Sequence, residues 1–136
     1  MRHLVLVLRI LLGLLLGMTG LNGFLNFMEP PPDLPQSALD FLGALDASGY
    51  LLPVKSAVEV ACAVLLVTGL FVPLALVLFA PILVNIVGYH LTVDTDLARG
   101  AMAWVVLFIE LFLAFAYREH FACLFACRAK SSFQEG

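Results

Sequence analysis

Lys55 and Glu59 lie one helical turn apart inside Pro53 to Phe71, a stretch otherwise apolar enough to enter a membrane. At about 100° per residue, Lys55, Glu59, Cys62, Leu66 and Gly69 fall on one stripe. An ionised side chain in hydrocarbon costs at least ~2.5 kcal/mol. The stripe is therefore expected to face protein or water. A carboxylate and an ammonium held there could bind a polar head group, relay a proton, or pair with each other and fix helix register.

Further polar groups sit in other apolar runs. Arg9 is about six residues into the first run and Glu110 about nine residues into the last, counted from the same side. Their offset along the membrane normal is ~4–5 Å, which an arginine can bridge. Glu59 and Asn85 fall near mid-depth. Asn85 shares a face with Pro81, Gly88 and Tyr89, while His90 points ~140° away from it. Two readings fit this set. In one, Arg9–Glu110 and Lys55–Glu59 are buried ion pairs and Asn85 bonds across helices, all as glue within a bundle. In the other, Glu59, Lys55, Asn85 and Tyr89 line a polar pocket that holds a small molecule or moves protons.

The spans that must position these groups follow from composition and punctuation. The chain has 136 residues, 62% hydrophobic and 12% charged, against about 45–50% and 25% in soluble domains. That predicts an all-α integral membrane bundle in the lipid bilayer. Four spans are expected, at about 4–27, 53–71, 74–93 and 97–117. Glu29 to Pro35 ends the first, because proline has no amide hydrogen to continue a helix. A short amphipathic helix at about 36–46 carries Ala38, Phe41, Leu42 and Leu45 on one face and lies in the interface. Pro73 makes the second and third spans antiparallel neighbours. Thr92 to Asp96 is a turn that caps the fourth. Residues 121–136 form a polar tail.

Arg9, Gly13, Gly17 and Gly20 line one side of the first span, a seam of small residues that lets another helix come close. With both termini cytoplasmic, that side collects Arg2, Arg118, Arg128 and Lys130, which predicts an N-in, C-in orientation. A net charge of −3 with scattered basic residues argues against a nucleic-acid partner. Of Cys62, Cys123 and Cys127, the first is expected to be a small packing residue. The other two, spaced C-x-x-x-C, are either inert thiols, acylation sites or exchanging thiols. His90 is the one histidine at a plausible depth for haem, and b-type haem wants two on facing helices. No metal site is expected. No Walker loop, G-x-G-x-x-G, H-E-x-x-H or G-x-S-x-G is present, so no catalytic residues are assigned.

Arg9-Ile-Leu-Leu-Gly13 with Gly17 and Gly20, the acidic interfacial segment, Glu59 ten residues before Gly69, and the proline-containing third span with Asn85 to His90 resemble the DoxX family of small bacterial four-helix membrane proteins. The resemblance covers about Val5 to Tyr117. It implies a bacterial plasma-membrane subunit linked to a quinone or thiol redox system, with quinone as ligand and a redox protein as partner. Many relatives close the first span with a lysine, where this chain has Asn22 to Phe27; Lys55 could take its place from the second span. The pocket would then be lined by Glu59, Lys55 and Asn85, with phenylalanines such as Phe24, Phe79 and Phe108 as walls. The alternatives are an assembly or scaffold protein of a larger complex, and a small transporter or proton conduit, the latter in a homo-oligomer.

Overall fold

Leucine- and valine-rich runs satisfy their own backbone hydrogen bonds only as helices, and a bilayer offers no other partner. In the computed structural model, which describes residues 1–122, such runs form α1 (Arg2–Leu25), α3 (Leu51–Thr68), α4 (Val72–Thr92) and α5 (Leu97–Ala116). Each is long and apolar enough to cross a membrane. Between α1 and α3 lies α2 (Gln36–Ala47), and a single turn, α6 (Arg118–Phe121), follows α5. Four antiparallel spans bring both ends of the described chain to one end of the bundle, with the α3–α4 turn. The α1–α2 linker, α2 and the α4–α5 turn share the other end. Cys123, Cys127, Arg128 and Lys130 lie outside the described residues.

The termini of these helices follow their sequences. Asn26 closes α1 in the left-handed conformation (φ 49°), its N–H bonded to the Asn22 carbonyl, while the Asn22 Oδ1 accepts the Met28 N–H at 2.7 Å. The Asn22 to Phe27 segment thus acts as a polar helix stop. Gly69 ends α3 at φ 79°, and Phe71, also left-handed at φ 50°, precedes α4 with Pro73 in its first turn. Pro53 occupies the first turn of α3, where its missing N–H is not needed.

The core is made where α1, α3, α4 and α5 meet. Leu12, Cys62, Leu66, Ala75 and Leu113 have no exposed surface, and Leu16 and Phe79 very little. Cys62 is a packing residue whose Sγ donates to the Ala75 carbonyl at 3.4 Å. Outward-facing Leu14, Val84 and Phe108 remain exposed, as expected of surfaces that meet lipid.

The tightest contact is between α1 and α3. A Cβ added at Gly20 would lie 2.9–3.0 Å from Val60 Cγ2, Glu59 Cβ and the Ser56 carbonyl. One at Gly13 would lie 2.8 Å from Val67 Cγ2 and 3.2 Å from the Ala63 carbonyl, whereas Gly17 would meet only Ala63 Cβ at an ordinary 3.5 Å. Without a hydrophobic drive between helices in lipid, this close approach is what dispersion has to work with.

At the far end the α4–α5 turn is fixed by charge. Asp94, 1% exposed, takes two bonds from Arg99 Nε (3.1 and 2.9 Å) and one from Arg99 Nη2 (2.8 Å). Asp96 caps α5, accepting from the amides of Ala98 and Arg99. Ser37 Oγ on α2 donates to the Val93 carbonyl at 3.1 Å, and Ala38 beside it is fully buried. The short helix is thereby tied to the turn.

Two outcomes are expected. Gly20→Ala should destabilise the bundle by ~1–3 kcal/mol through overpacking against backbone, while Gly17→Ala should be neutral or stabilising by up to ~1 kcal/mol from helix propensity. Denaturant unfolding in mixed micelles measures both. The Arg99 guanidinium holds the Asp94 carboxyl below the usual carboxylate range, against the opposing effect of burial and with help from the Asp96 amide. A depressed folded value means the pair contributes its full stability above the unfolded carboxylate range and loses it as pH falls through the folded value. Asp94→Asn should therefore lower the Tm at neutral pH, and the gap from wild type should close on acidification.

Candidate functional site

A helix stripe that is apolar except for two charges can bury one of them only if the other reaches outward to pair with it. On α3 the buried residues are Ser56, Glu59, Cys62, Ala63 and Leu66, so the stripe faces protein along most of its length. Glu59 is 1% exposed, and Lys55 at the stripe's edge, its side chain 36% exposed, reaches it with Nζ 2.9 Å from Oε2. Gly20 of α1 packs against the Glu59 Cβ. The carboxylate is thus boxed in by α1 and held, among the described residues, by Lys55. Ser56, also 1% exposed, has a hydroxyl with no partner among the described residues.

Beyond Lys55 the structure opens into a cleft of about 490 Å³ between α2, α3 and α4. Phe41, Leu42 and Leu45 of α2, Leu51 and Leu52 of α3, and Ile82 and Ile86 of α4 form its apolar walls. Its polar groups are Lys55, Asn85 and Tyr89. Tyr89 is set by rings on two sides, with Phe41 at 5.3 Å and His90 edge-on at 5.0 Å between centroids. Asn85 donates from Nδ2 to the Pro81 carbonyl at 2.9 Å. Its remaining amide hydrogen and its Oδ1 have no partner among the described residues.

Several residues therefore stand apart from where the sequence put them. Glu59 is not on the cleft wall; it touches the cleft only through Lys55. Asn85 does not bond across helices but to its own helix, as a side chain four residues beyond a carbonyl can. The phenylalanine wall is Phe41. Phe79 is instead in the core, and Phe24 and Phe108 are exposed on the outer surface of α1 and α5.

The Arg9–Glu110 pair is also absent among the described residues. Similar depth and face suggested it, but the two side chains take different surroundings. Arg9 turns to the end of α3, where its guanidinium packs on Gly69, close enough that a Cβ there would lie 2.6 Å from Nη1. That end of α3 carries unpaired carbonyls and a partial negative charge, which suits a cation. Glu110, 5% exposed, faces the core within electrostatic range of Cys62, and its Oε2 has no partner, as is true of Arg9 Nε.

Sequence reading missed the Asp94–Arg99 pair and the burial of Ser56. The first was legible in the D-T-D-L-A-R run, where an N-cap aspartate fixes the helix start and places an arginine one turn on. The second had a signal in its three-residue spacing from Glu59. His90 faces Gly100 on α5 with a buried, unpartnered Nδ1, away from the cleft. Among the described residues no cluster of histidine, cysteine and carboxylate side chains is placed to hold a metal ion.

No curated protein and no solved structure matches the chain. The DoxX family model matches residues 4–95, which takes in α1 to α4 and stops just before α5. The match is narrower at its C-terminal side than the Val5 to Tyr117 resemblance, yet it covers well over half of the chain and three of the four apolar spans. With four such spans, the chain is an integral membrane protein that belongs to the DoxX family.

Proposed function

We propose that this chain is a membrane subunit of a redox system and that it holds a quinone-like amphiphile in the cleft between α2, α3 and α4. The observation that carries the reading is that three hydrogen-bonding side chains, Lys55, Asn85 and Tyr89, line one otherwise apolar cleft. A quinone ring presents two carbonyl oxygens that accept hydrogen bonds, and an ammonium, an amide and a phenol can donate them. The isoprenoid tail needs only an apolar channel, which Leu42, Leu45, Ile82 and Ile86 offer. A cleft of about 490 Å³ is of a size with small-molecule sites.

In this reading Glu59 is a positioning residue. Its carboxylate holds the Lys55 ammonium beside the head group, and its own burial keeps the pair in register. Electrons come from a partner redox protein. The termini end, with Arg2 and Arg118, faces the cytoplasm of a bacterial cell, so the cleft opens in the opposite half of the plasma membrane.

The test is the quinone content of the full chain purified in mild detergent, measured by mass spectrometry of extracted lipids. Wild type should retain quinone near one equivalent. The double variant Lys55→Met/Glu59→Gln, which leaves no lone buried carboxylate, should lower it about tenfold or more, the worth of one charge-assisted hydrogen bond. Tyr89→Phe should lower it less. Quinone at the detergent background in wild type, or unchanged in both variants, would sink the proposal and leave an assembly protein as the better account.

A further inference from the structure

The opposite end of the bundle carries a second open groove, of about 810 Å³, between the first turns of α1 and the last turns of α5. Its charged lining residues are three arginines, Arg2, Arg9 and Arg118, with His3 beside them and no carboxylate among the walls. Between them the walls are apolar, chiefly Leu6, Phe112 and Phe115. We propose that this groove binds a phosphate-headed anionic lipid of the surrounding bilayer, independently of the quinone cleft.

Three features carry the assignment. The first is the imbalance of charge. At the other end Lys55 is paired with Glu59, and Arg99 with Asp94 and Asp96; here no arginine has a carboxylate partner among the described residues. The second is depth. Arg2 and Arg9 are seven residues apart on one helix, so they span about 10 Å along the normal, from the helix start down into the apolar region. A head group could be gripped at the rim while the guanidinium of Arg9 reaches its phosphate from below. The third is preorganisation. Arg118 donates from Nη1 to the Phe115 carbonyl at 3.2 Å and lies 4.5 Å over the Phe115 ring, which fixes it at the rim. Arg9 is held against Gly69 and lines the groove without a carboxylate partner among the described residues. A guanidinium in that state beside an apolar wall suits a ligand with an anionic head and an acyl tail.

Native mass spectrometry of the full chain in a maltoside detergent tests this, by titration with phosphatidylglycerol, phosphatidylcholine or inorganic phosphate. One phosphatidylglycerol should bind about tenfold more tightly than phosphatidylcholine. Arg118→Gln, at an exposed position that the fold does not depend on, should weaken it about five- to tenfold, and Arg118→Lys clearly less. Arg9→Gln, if its circular dichroism matches wild type, should act at least as strongly as Arg118→Gln. Equal binding of the two lipids, or phosphatidylglycerol binding untouched by Arg118→Gln, would overturn the proposal in favour of ordinary annular lipid. Displacement of the lipid by equimolar inorganic phosphate would overturn it in favour of a free-anion site.

Discussion

The close approach of α1 to α3 is the constraint on which the rest of the bundle depends. Gly13 and Gly20 bring α1 close onto α3, so that even a Cβ at either position would crowd the α3 side chains and carbonyls. That contact covers Ser56, Glu59 and Ala63 and leaves Lys55 at the edge. Once Glu59 is covered, its charge has one way out, along the Lys55 stem towards α2 and α4. The direction of the ammonium, and with it the polar end of the cleft, is thus a consequence of glycines on another helix. A bilayer gives little other means of placing a charge, since it neither solvates the group nor drives helices together.

A second constraint holds the other wall of the cleft. The short helix α2 is too small to be stable alone in water. It is kept in place by Ala38 in the core, by the Ser37 bond to the Val93 carbonyl and by the contact between Phe41 and Tyr89. Two of those anchors are on or beside the α4–α5 turn, whose shape is set by Asp94 and Arg99. An ion pair at the membrane boundary therefore bears on the cleft wall through two steps of ordinary contact. No part of that chain of contacts requires the pair to touch a ligand.

How much of this the sequence disclosed depends on what kind of information each feature needs. The spans and the interfacial helix were legible because hydropathy, proline and the i, i+3, i+4 pattern are local. Lys55 with Glu59 was legible because i, i+4 geometry is local as well. The partner of the glycine seam was not, because a small-residue face says that some helix comes close without saying which. Arg9 and Glu110 show the same limit from the other side. Similar depth suggested the pair, but depth is one coordinate, and the direction each helix turns its side chains also decides whether two groups meet. Asn85 failed for a further reason: Pro81, four residues earlier, leaves a carbonyl within reach of the Asn85 side chain, and that local bond competes with any bond across helices.

The two ends of the bundle consequently differ in a way that composition alone would hide. At the linker end, Lys55 and Arg99 have carboxylates within 3 Å, and Glu29, Asp33, Asp40 and Asp46 add further negative charge, so no cation there is free to hold an anion. At the termini end, Arg2, Arg9 and Arg118 stand without such partners among the described residues. A neutral head group with an apolar tail suits the first end and an anion suits the second. Had Arg9 paired with Glu110, the termini end would have lost its deepest cation and the groove much of its claim on an anionic head. The rotation of α1 that defeats that pair also turns Arg9 towards Gly69 and the groove. One packing choice, the seating of the α1 glycines on α3, therefore sets the chemistry available at both ends.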